Sequence, residues 1–371
     1  MKRALVCAWV ALLMLPYVSR AAVLAPLATF GGGDGWLAPA EGGYTFLGTA
    51  NNERGIAYGN GHVYLVSRFG GNNVRILDSL TGADLGGLNV TGISGGTFAV
   101  NMAGASSDGS IYVANLTTAM SATSPYKVYK WATEASVPTT AVSNSTVLAG
   151  SRLGDDMATI DTGSTTLIAA GFNSTPAIAG NNSYAIADIT TATANAVSFG
   201  ATPPNAGDFR LGITFTDGSH ILGTATGGSY RATSFAGTTG TLLGTATLNS
   251  TERLLAATMI AGTPILAAMS TTDSHVSIYD ISNLTAPIFL GSGNNTSGGL
   301  TPNGNGVGEL AWGPVVGNTA TLYAMSTNQG IQAFVVTIPP VPEPLIILPV
   351  GLCMLFLGRA KRNGKLLPPV R

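Results

Sequence analysis

Apolar and polar residues alternate along residues 53–77, a stretch that reads ERGIAYGNGHVYLVSRFGGNNVRIL. Alternation over four to eight residues is typical of a half-buried strand. The Gly-Asn-Gly sequence at residues 59–61 interrupts the pattern and suits a two-residue hairpin turn. A glycine-rich loop at residues 69–72 interrupts it again. The stretch therefore predicts three antiparallel strands in succession, joined by short turns.

The same succession returns five more times along the chain. The first two strands of these copies fall at residues 99–115, 157–172, 212–223, 254–269 and 310–325. The copies begin about 40 to 60 residues apart, which is close to the period of propeller blades, each a four-stranded sheet. The repeats predict an all-β fold, a six-bladed β-propeller. Seven blades or a pair of β-sandwiches are the alternative architectures.

The repeats also predict outer strands for each blade. Third strands are expected at residues 73–77, 126–131, 183–189, 229–235, 275–281 and 330–337, and fourth strands at 83–89, 139–143, 194–199, 240–246 and 286–292. The sixth copy lacks a fourth strand because a proline-rich segment follows it. Residues 44–49, YTFLGT, resemble APIFLGS at residues 286–292. We therefore expect residues 44–49 to supply the outer strand of the sixth blade and close the ring.

Composition narrows the range of partners. The chain has 371 residues, of which 49 are glycine and 9% are charged, and its net charge is −1. Binding to phosphate backbones needs clustered lysine and arginine, so the composition argues against nucleic acid as a partner. The two cysteines, Cys7 and Cys353, lie in the terminal apolar segments. The body between them has no disulfide and depends on a packed core, which a chain of this length can form.

The N-terminus has the features of a secretory signal peptide over residues 1–21. Lys2 and Arg3 precede an apolar run over residues 4–18, and the small residues Ser19 and Ala21 suit cleavage after Ala21. We expect export through this segment. Residues 22–43 would then form a leader, and residues 44–338 the propeller domain.

The C-terminus combines a proline-rich linker at residues 339–344, an apolar segment at 345–358 and a basic tail at 359–371. As a helix, the apolar run covers roughly 20 Å. This is shorter than the ~30 Å hydrocarbon core, although flanking residues can extend the span. We expect a short transmembrane helix with its basic tail on the cytoplasmic side.

The order of these features resembles the PEP-CTERM sorting signal of Gram-negative bacteria. Val341, Pro342, Glu343 and Pro344 match its motif, and the basic stop is formed by Arg359, Lys361 and Arg362. The resemblance implies export, retention in the inner membrane, processing by an exosortase, and a final location at the cell surface or in the extracellular matrix. Proteins of this class co-occur with exopolysaccharide production and biofilm growth, so exopolysaccharide or another cell-surface glycan is the implied partner.

The body carries a second resemblance. The segments ERGIAYGNGHVYLVSR, LDSLTGADLGGLNVTG and SRLGDDMAT are similar to a family of secreted bacterial proteins described only as a domain of unknown function. The similarity implies secretion and a propeller, and it assigns no role to individual residues.

Charged residues concentrate where each first strand begins. In a propeller the first strands line the central channel, so these residues are expected at its mouth. The candidate binding residues are Glu53, Arg54, Asp155, Asp156, Asp208, Arg210, Glu252, Arg253 and Glu309. They would form either a polar binding mouth, with a cation bridging the acids, or a ring of arginine–carboxylate pairs that tie the blades together. The second copy departs from the pattern, with Gly-Gly-Thr-Phe at residues 95–98.

No catalytic or metal-binding set is predicted from the sequence. His62, His220 and His275 stand at strand starts, and the body has neither cysteine nor an HExxH motif, which argues against a zinc site. No cofactor is expected, apart from the structural cation of the first alternative.

The sequence therefore predicts an exported binding or scaffold propeller without enzymatic activity. The alternative is a carbohydrate hydrolase or lyase that uses carboxylates at the channel mouth.

Overall fold

The structure is a computed structural model that describes residues 20–173, 184–201, 203–205, 207–225 and 227–340. Residues 1–19 of the predicted signal peptide, the motif Val341–Pro344, the apolar segment 345–358 and the basic tail 359–371 lie outside the described residues. Within the described ranges, no helix has the length and apolar character needed to cross a membrane.

Two short strands, β1 (Val23–Pro26) and β2 (Trp36–Leu37), precede six antiparallel sheets. Blade one comprises β3 (Glu53–Gly59), β4 (His62–Ser67), β5 (Asn73–Asp78) and β6 (Asp84–Gly87). Blade two comprises β7 (Phe98–Ala105), β8 (Ile111–Leu116), β9 (Tyr126–Trp131) and β10 (Thr139–Asn144). Blade three comprises β11 (Arg152–Leu153), β12 (Ala158–Asp161), β13 (Thr166–Asn173), β14 (Tyr184–Asp188) and β15 (Thr193–Ala196).

Blade four comprises β16 (Gly212–Asp217), β17 (His220–Thr224), β18 (Ser229–Ala236) and β19 (Thr239–Thr247). Blade five comprises β20 (Glu252–Ile260), β21 (Thr263–Ser270), β22 (Val276–Asp280) and β23 (Ile288–Gly293). Blade six comprises β24 (Gly308–Val316), β25 (Thr319–Ser326) and β26 (Ile331–Thr337), and it is completed by β1 and β2. Single-turn 3₁₀ helices lie at Gly31–Gly33 and Glu41–Gly43.

The first strands of successive blades contact one another around a closed ring. Strand β3 contacts β7, and the series continues through β12, β16, β20 and β24 back to β3. The prediction of a six-bladed propeller is therefore confirmed, and the first strands line its channel.

The predicted turn between the first two strands of blade one is confirmed in detail. Gly59 pairs with His62 across the hairpin, which leaves Asn60 and Gly61 as a two-residue loop. Both loop residues have positive φ, 54° and 80°. A type I′ turn requires positive φ at both positions, and Asn-Gly is the pair that tolerates it best.

The ring is closed by an N-terminal strand, as predicted, but a different one from the segment proposed. Val23 to Pro26 pair with Thr337 to Phe334, and Trp36 and Leu37 continue along the same edge of β26. Residues 44–49 form turns instead, because Phe46 and Leu47 are buried against blade one. The closing strand thus lies within the segment that the sequence predicted as a leader.

The hydrophobic core is distributed between neighbouring blades. Each of its six clusters draws on more than one sheet; one, for example, joins Phe30 and Leu37 with Ile56, Leu77 and Tyr323. Facing sheets bury their side chains against each other, so the ring stabilises every blade through both of its neighbours.

Candidate functional site

The predicted acids all lie at or beside the N-terminal ends of the first strands, a region called here the channel mouth. All six of them, Glu53, Asp155, Asp156, Asp208, Glu252 and Glu309, are buried, with at most 7% of their surface exposed. Buried charged groups are stable only when they are paired, hydrogen-bonded or neutralised. The partners of each acid therefore indicate what it does.

Asp155 is the centre of an ion-pair network between blades three and four. Both of its carboxylate oxygens accept hydrogen bonds from Arg152, from Nε and Nη2 at 2.5 Å each. Arg210, which stands just before β16, lies 3.3 Å from Oδ2 of the same carboxylate. This is the inter-blade arginine–carboxylate tie that one of the two sequence hypotheses proposed.

Asp208 and Glu252 are held within their own blades. Asp208 accepts a hydrogen bond at 2.9 Å from Arg231 on β18, and another from the backbone of Asn205. Glu252 accepts from the Tyr279 hydroxyl at 2.8 Å and from the backbone N–H of Asn249. Neither acid pairs with the arginine closest to it in sequence.

Glu53 and Arg54 face different partners, because successive residues of a strand point to opposite sides. Oε1 of Glu53 accepts the backbone N–H of Gly48 at 2.6 Å, while its Oε2 is buried without a partner. Arg54 donates through Nε to Asn101 of blade two, whose amide in turn donates to the Gly154 carbonyl of blade three. These two bonds connect three consecutive blades.

Asp156 and Glu309 occupy the channel itself. The first strand of each blade has one free edge, whose N–H groups point into the channel and need acceptors. Asp156 accepts from Met157 and Ile213 N–H groups at 2.8 Å each, and Glu309 accepts from Ala103 at 3.4 Å. Glu309 passes over Gly55, where an added Cβ would lie 2.5 Å from its Oε2.

Burial raises the pKa of Asp156 and Glu309 well above the usual range of a carboxyl group. The negative charge of Asp156 raises the pKa of Glu309 further, and hydrogen bonds from the backbone oppose both shifts. Burial also raises the pKa of Glu53 and Glu252. The channel therefore favours protonated carboxyl groups.

These shifts predict that stability falls as pH rises. In the folded protein these carboxyl groups keep their protons at pH values where the unfolded chain has already released them, that is, above pH ~4. The resulting stabilisation of the folded state is complete below that pH and is lost as pH rises through the raised pKa. We expect the wild-type Tm to decline as pH rises above about 5, and Glu309→Gln to flatten this decline. Thermal melts at a series of pH values measure it. An equal pH slope in Glu309→Gln and the wild type would contradict the assignment, and Asp273→Asn, which removes an exposed carboxyl, is the control.

A cavity of about 210 Å³ lies in the channel, along the middle of the first strands. All six blades contribute to its wall. Most lining residues are alanine, glycine or larger aliphatic residues, and the exceptions are Tyr58, Thr159, Thr214, Glu309 and Trp312. Glu309 is the only acid among them. The predicted binding residues therefore do not surround this cavity together.

The Thr159 hydroxyl is an unusual feature of the cavity wall, because its oxygen is buried without a hydrogen-bond partner. It lies against Gly104 of blade two, where any side chain would collide with it. By contrast, Thr214 accepts the Ala257 N–H, and the Trp312 indole donates to the Ala256 carbonyl. Thr159 and Glu309 thus retain unused hydrogen-bonding capacity in the cavity wall.

Sequence reasoning missed several residues that organise the mouth. Asn101 is a polar residue within the otherwise apolar strand β7, which is a signal for it in the sequence, whereas Arg231 and Tyr279 lie in mixed strands without such a signal. The second copy has no acid at the start of its first strand, and Phe98 stands there instead. The guanidinium of Arg68 lies over the Phe98 ring, with the Arg68 Cζ 3.6 Å from the ring centroid. Among the described residues, no group of three or more His, Cys, Asp or Glu side chains could hold a metal ion.

One family model and two solved structures are similar to this chain, and the structure with the TM-score of 0.60 supports the fold. Residues 44–210, which span blades one to three, match the family model described as a domain of unknown function (DUF4623). The crystal structure of a DUF4623 family protein from Bacteroides eggerthii DSM 20697 aligns with a TM-score of 0.60 at 17% identity, over 79% of this chain and 72% of that chain. The major allergen Mala s 1 of Malassezia sympodialis aligns with a TM-score of 0.46 at 12% identity, over 76% of this chain and 91% of that chain. No curated protein matches the sequence.

Proposed function

We propose that this chain is an exported, non-enzymatic binding propeller whose channel cavity holds a single small polar group, such as one sugar residue of an extracellular polysaccharide. In this proposal the signal peptide exports the chain, the C-terminal segment holds it in the inner membrane, and an exosortase passes it to the cell surface or matrix.

The cavity carries this proposal. Its volume of about 210 Å³ is below the ~300–1,000 Å³ of pockets for drug-sized ligands, so it suits one small group. The Thr159 hydroxyl can donate or accept a hydrogen bond, and Tyr58 and Trp312 add aromatic surface to the wall. The hydroxyls of a sugar can hydrogen-bond to Thr159, and the apolar faces of its pyranose ring can pack against Tyr58 and Trp312.

The bonding of the acids supports binding without catalysis. A glycosidase needs two carboxyl groups flanking the scissile bond. Here Glu309 is the only acid that lines the cavity, and both Glu309 and Asp156, the other acid in the channel, already accept backbone N–H groups. Asp155 and Asp208 are paired with arginines, and Glu53 and Glu252 cap nearby loops. A hydrolase or lyase remains the alternative that an activity assay must test.

Titration of the full chain with glucose, galactose, mannose and N-acetylglucosamine tests the proposal. We expect saturable binding of at least one sugar, with a Kd on the order of 1 mM for so small a ligand. Thr159→Val should abolish it, because the substitution keeps the shape and removes the free hydroxyl. Thr216→Val is the matched control, since the Thr216 hydroxyl is also buried without a partner but does not line the cavity.

The absence of saturable binding by any of these sugars would reject the cavity as a sugar site and leave only a scaffold role. The same samples, incubated with polysaccharide and assayed for new reducing ends, test the alternative. Release of reducing ends that Glu309→Gln abolishes would replace the binding proposal with a hydrolase.

A further inference from the structure

Two arginines of blade one converge on an aromatic ring of blade two at the channel mouth. Arg54 lies on β3 and Arg68 follows β4, and their Cζ atoms are 5.5 Å and 3.6 Å from the Phe98 ring centroid. Each cation is attracted to the face of the ring, but the two repel each other. Burial, and then the charge of Arg68, lower the pKa of Arg54 to about 10.

Neither arginine has a carboxylate within ion-pairing distance in the part of the chain that the structure describes. Arg54 is only 2% exposed, and it donates to the neutral Asn101 side chain. Arg68 donates to the Asn51 carbonyl, and its Nε is buried without a partner.

The nearby acids supply only part of the missing negative charge. The charge of Glu53 raises the pKa of Arg68 and that of Asp155 raises the pKa of Arg54, but neither acid is within ion-pairing distance, and Asp155 is already held by Arg152 and Arg210. A buried cation such as Arg54 is costly without an anionic partner, and the partly exposed cation of Arg68 beside it adds to the cost. Arg54 and Arg68 therefore carry positive charge that no ion-paired carboxylate among the described residues neutralises.

We propose that the channel mouth binds an oxyanion, a carboxylate or sulfate group of the kind that acidic sugars carry, between Arg54 and Arg68. Guanidinium groups bind oxyanions through paired N–H donors, and Phe98 holds the planar guanidinium of Arg68 in place. The half-exposed Phe69 beside Arg68 marks the side from which a ligand reaches it. This site shares no residue with the cavity and does not depend on the ligand of the cavity.

Anion binding is tested by thermal melts and calorimetry of the full chain with sodium glucuronate or sodium sulfate, against sodium chloride at equal ionic strength. We expect glucuronate or sulfate to raise the wild-type Tm, and Arg68→Gln to lose at least about tenfold in affinity. Glucuronate binding alone indicates an acidic sugar, and equal binding of sulfate indicates an oxyanion site without preference for the sugar.

Arg75→Gln is the matched control. Arg75 also lies over an aromatic ring, 4.9 Å from the Phe46 centroid, but it is paired with Asp84. Its replacement should leave anion binding unchanged. Sulfate also stabilises proteins through exclusion from their surface, and that general effect would be equal in all variants.

Arg54→Met separates binding from structure. If Arg54 awaits an anion, this variant should lose the anion response relative to its own Tm without anion, even where the loss of its hydrogen bond to Asn101 lowers that Tm. The proposal is overturned if neither anion raises the wild-type Tm above chloride, or if Arg68→Gln and Arg54→Met respond as the wild type does. Should Arg68→Gln fail to fold, Arg68→Lys keeps the charge without the fork and should weaken anion binding in the same way.

Discussion

Replacing Phe30 with alanine is expected to lower the free energy of unfolding by about 3–5 kcal/mol, the range for a fully buried aromatic residue. Phe30 lies between the two parts of the ring-closing edge, β1 and β2, and it is fully buried. Its ring packs 5.9 Å from that of Tyr323 in blade six, and it lies against Gly82 of blade one. The substitution removes a large part of the apolar contact between the closing segment and blade one, although the Gly31–Thr81 backbone hydrogen bond is kept.

Urea denaturation of Phe30→Ala measures this loss. Phe289→Ala is the control, because Phe289 is 54% exposed on the outer strand of blade five. We expect the control to change stability by less than about 0.5 kcal/mol. Similar losses in the two variants would mean that Phe30 does not fasten the ring.

Asp155→Ala is expected to destabilise the protein by about 2–4 kcal/mol, because it leaves Arg152 and Arg210 without their shared carboxylate. The expected loss of stability is smaller than that for breaking a fully buried ion pair, because the side chains of Arg152 and Arg210 are 33% and 27% exposed and can be hydrated. Differential scanning calorimetry of the variant measures the effect.

Asp84→Ala provides the comparison within one blade. Asp84 pairs with Arg75 between β6 and β5, where both side chains reach solvent. We expect a loss of about 1 kcal/mol or less. If the two variants were equally stable, the ion pairs of the channel mouth would contribute nothing beyond ordinary surface pairs, and the inter-blade role of Asp155 would be wrong.

The repeated strands could be predicted closely because they depend on local patterns. The strand Tyr126–Trp131 agrees at both ends, and the other third strands agree within about two residues. Alternation decides which face of a strand is buried, and pairs such as Asn60-Gly61 fix the hairpins. Each of these signals is complete within a few neighbouring residues.

The closing strand could not be predicted in this way. Residues 44–49 have the pattern of an outer strand, but Phe46 and Leu47 bury themselves against blade one. The weaker pattern at Val23–Pro26 pairs with residues more than three hundred positions away. Which of two segments reaches an open edge depends on the whole ring, and a sequence window contains no such information.

For the charged residues too, the sequence predicted one aspect and the tertiary structure decided another. Their position at the starts of the first strands followed from the sequence, because strand order fixes which ends meet at the channel. Their partners did not, since Asp155 takes Arg210 from the next blade, Asp208 takes Arg231 from an outer strand, and Arg54 takes Asn101.

The sequence by itself thus determined six blades, their strands and a polar channel mouth. Only the tertiary structure decided which strand closes the ring, which acids are already bonded, and where a cavity lies and the pair Arg54 and Arg68 stands without an ion-paired carboxylate among the described residues. The physical reason is that hydrophobic periodicity and turn propensity are local, whereas burial and charge pairing depend on which blades are brought together.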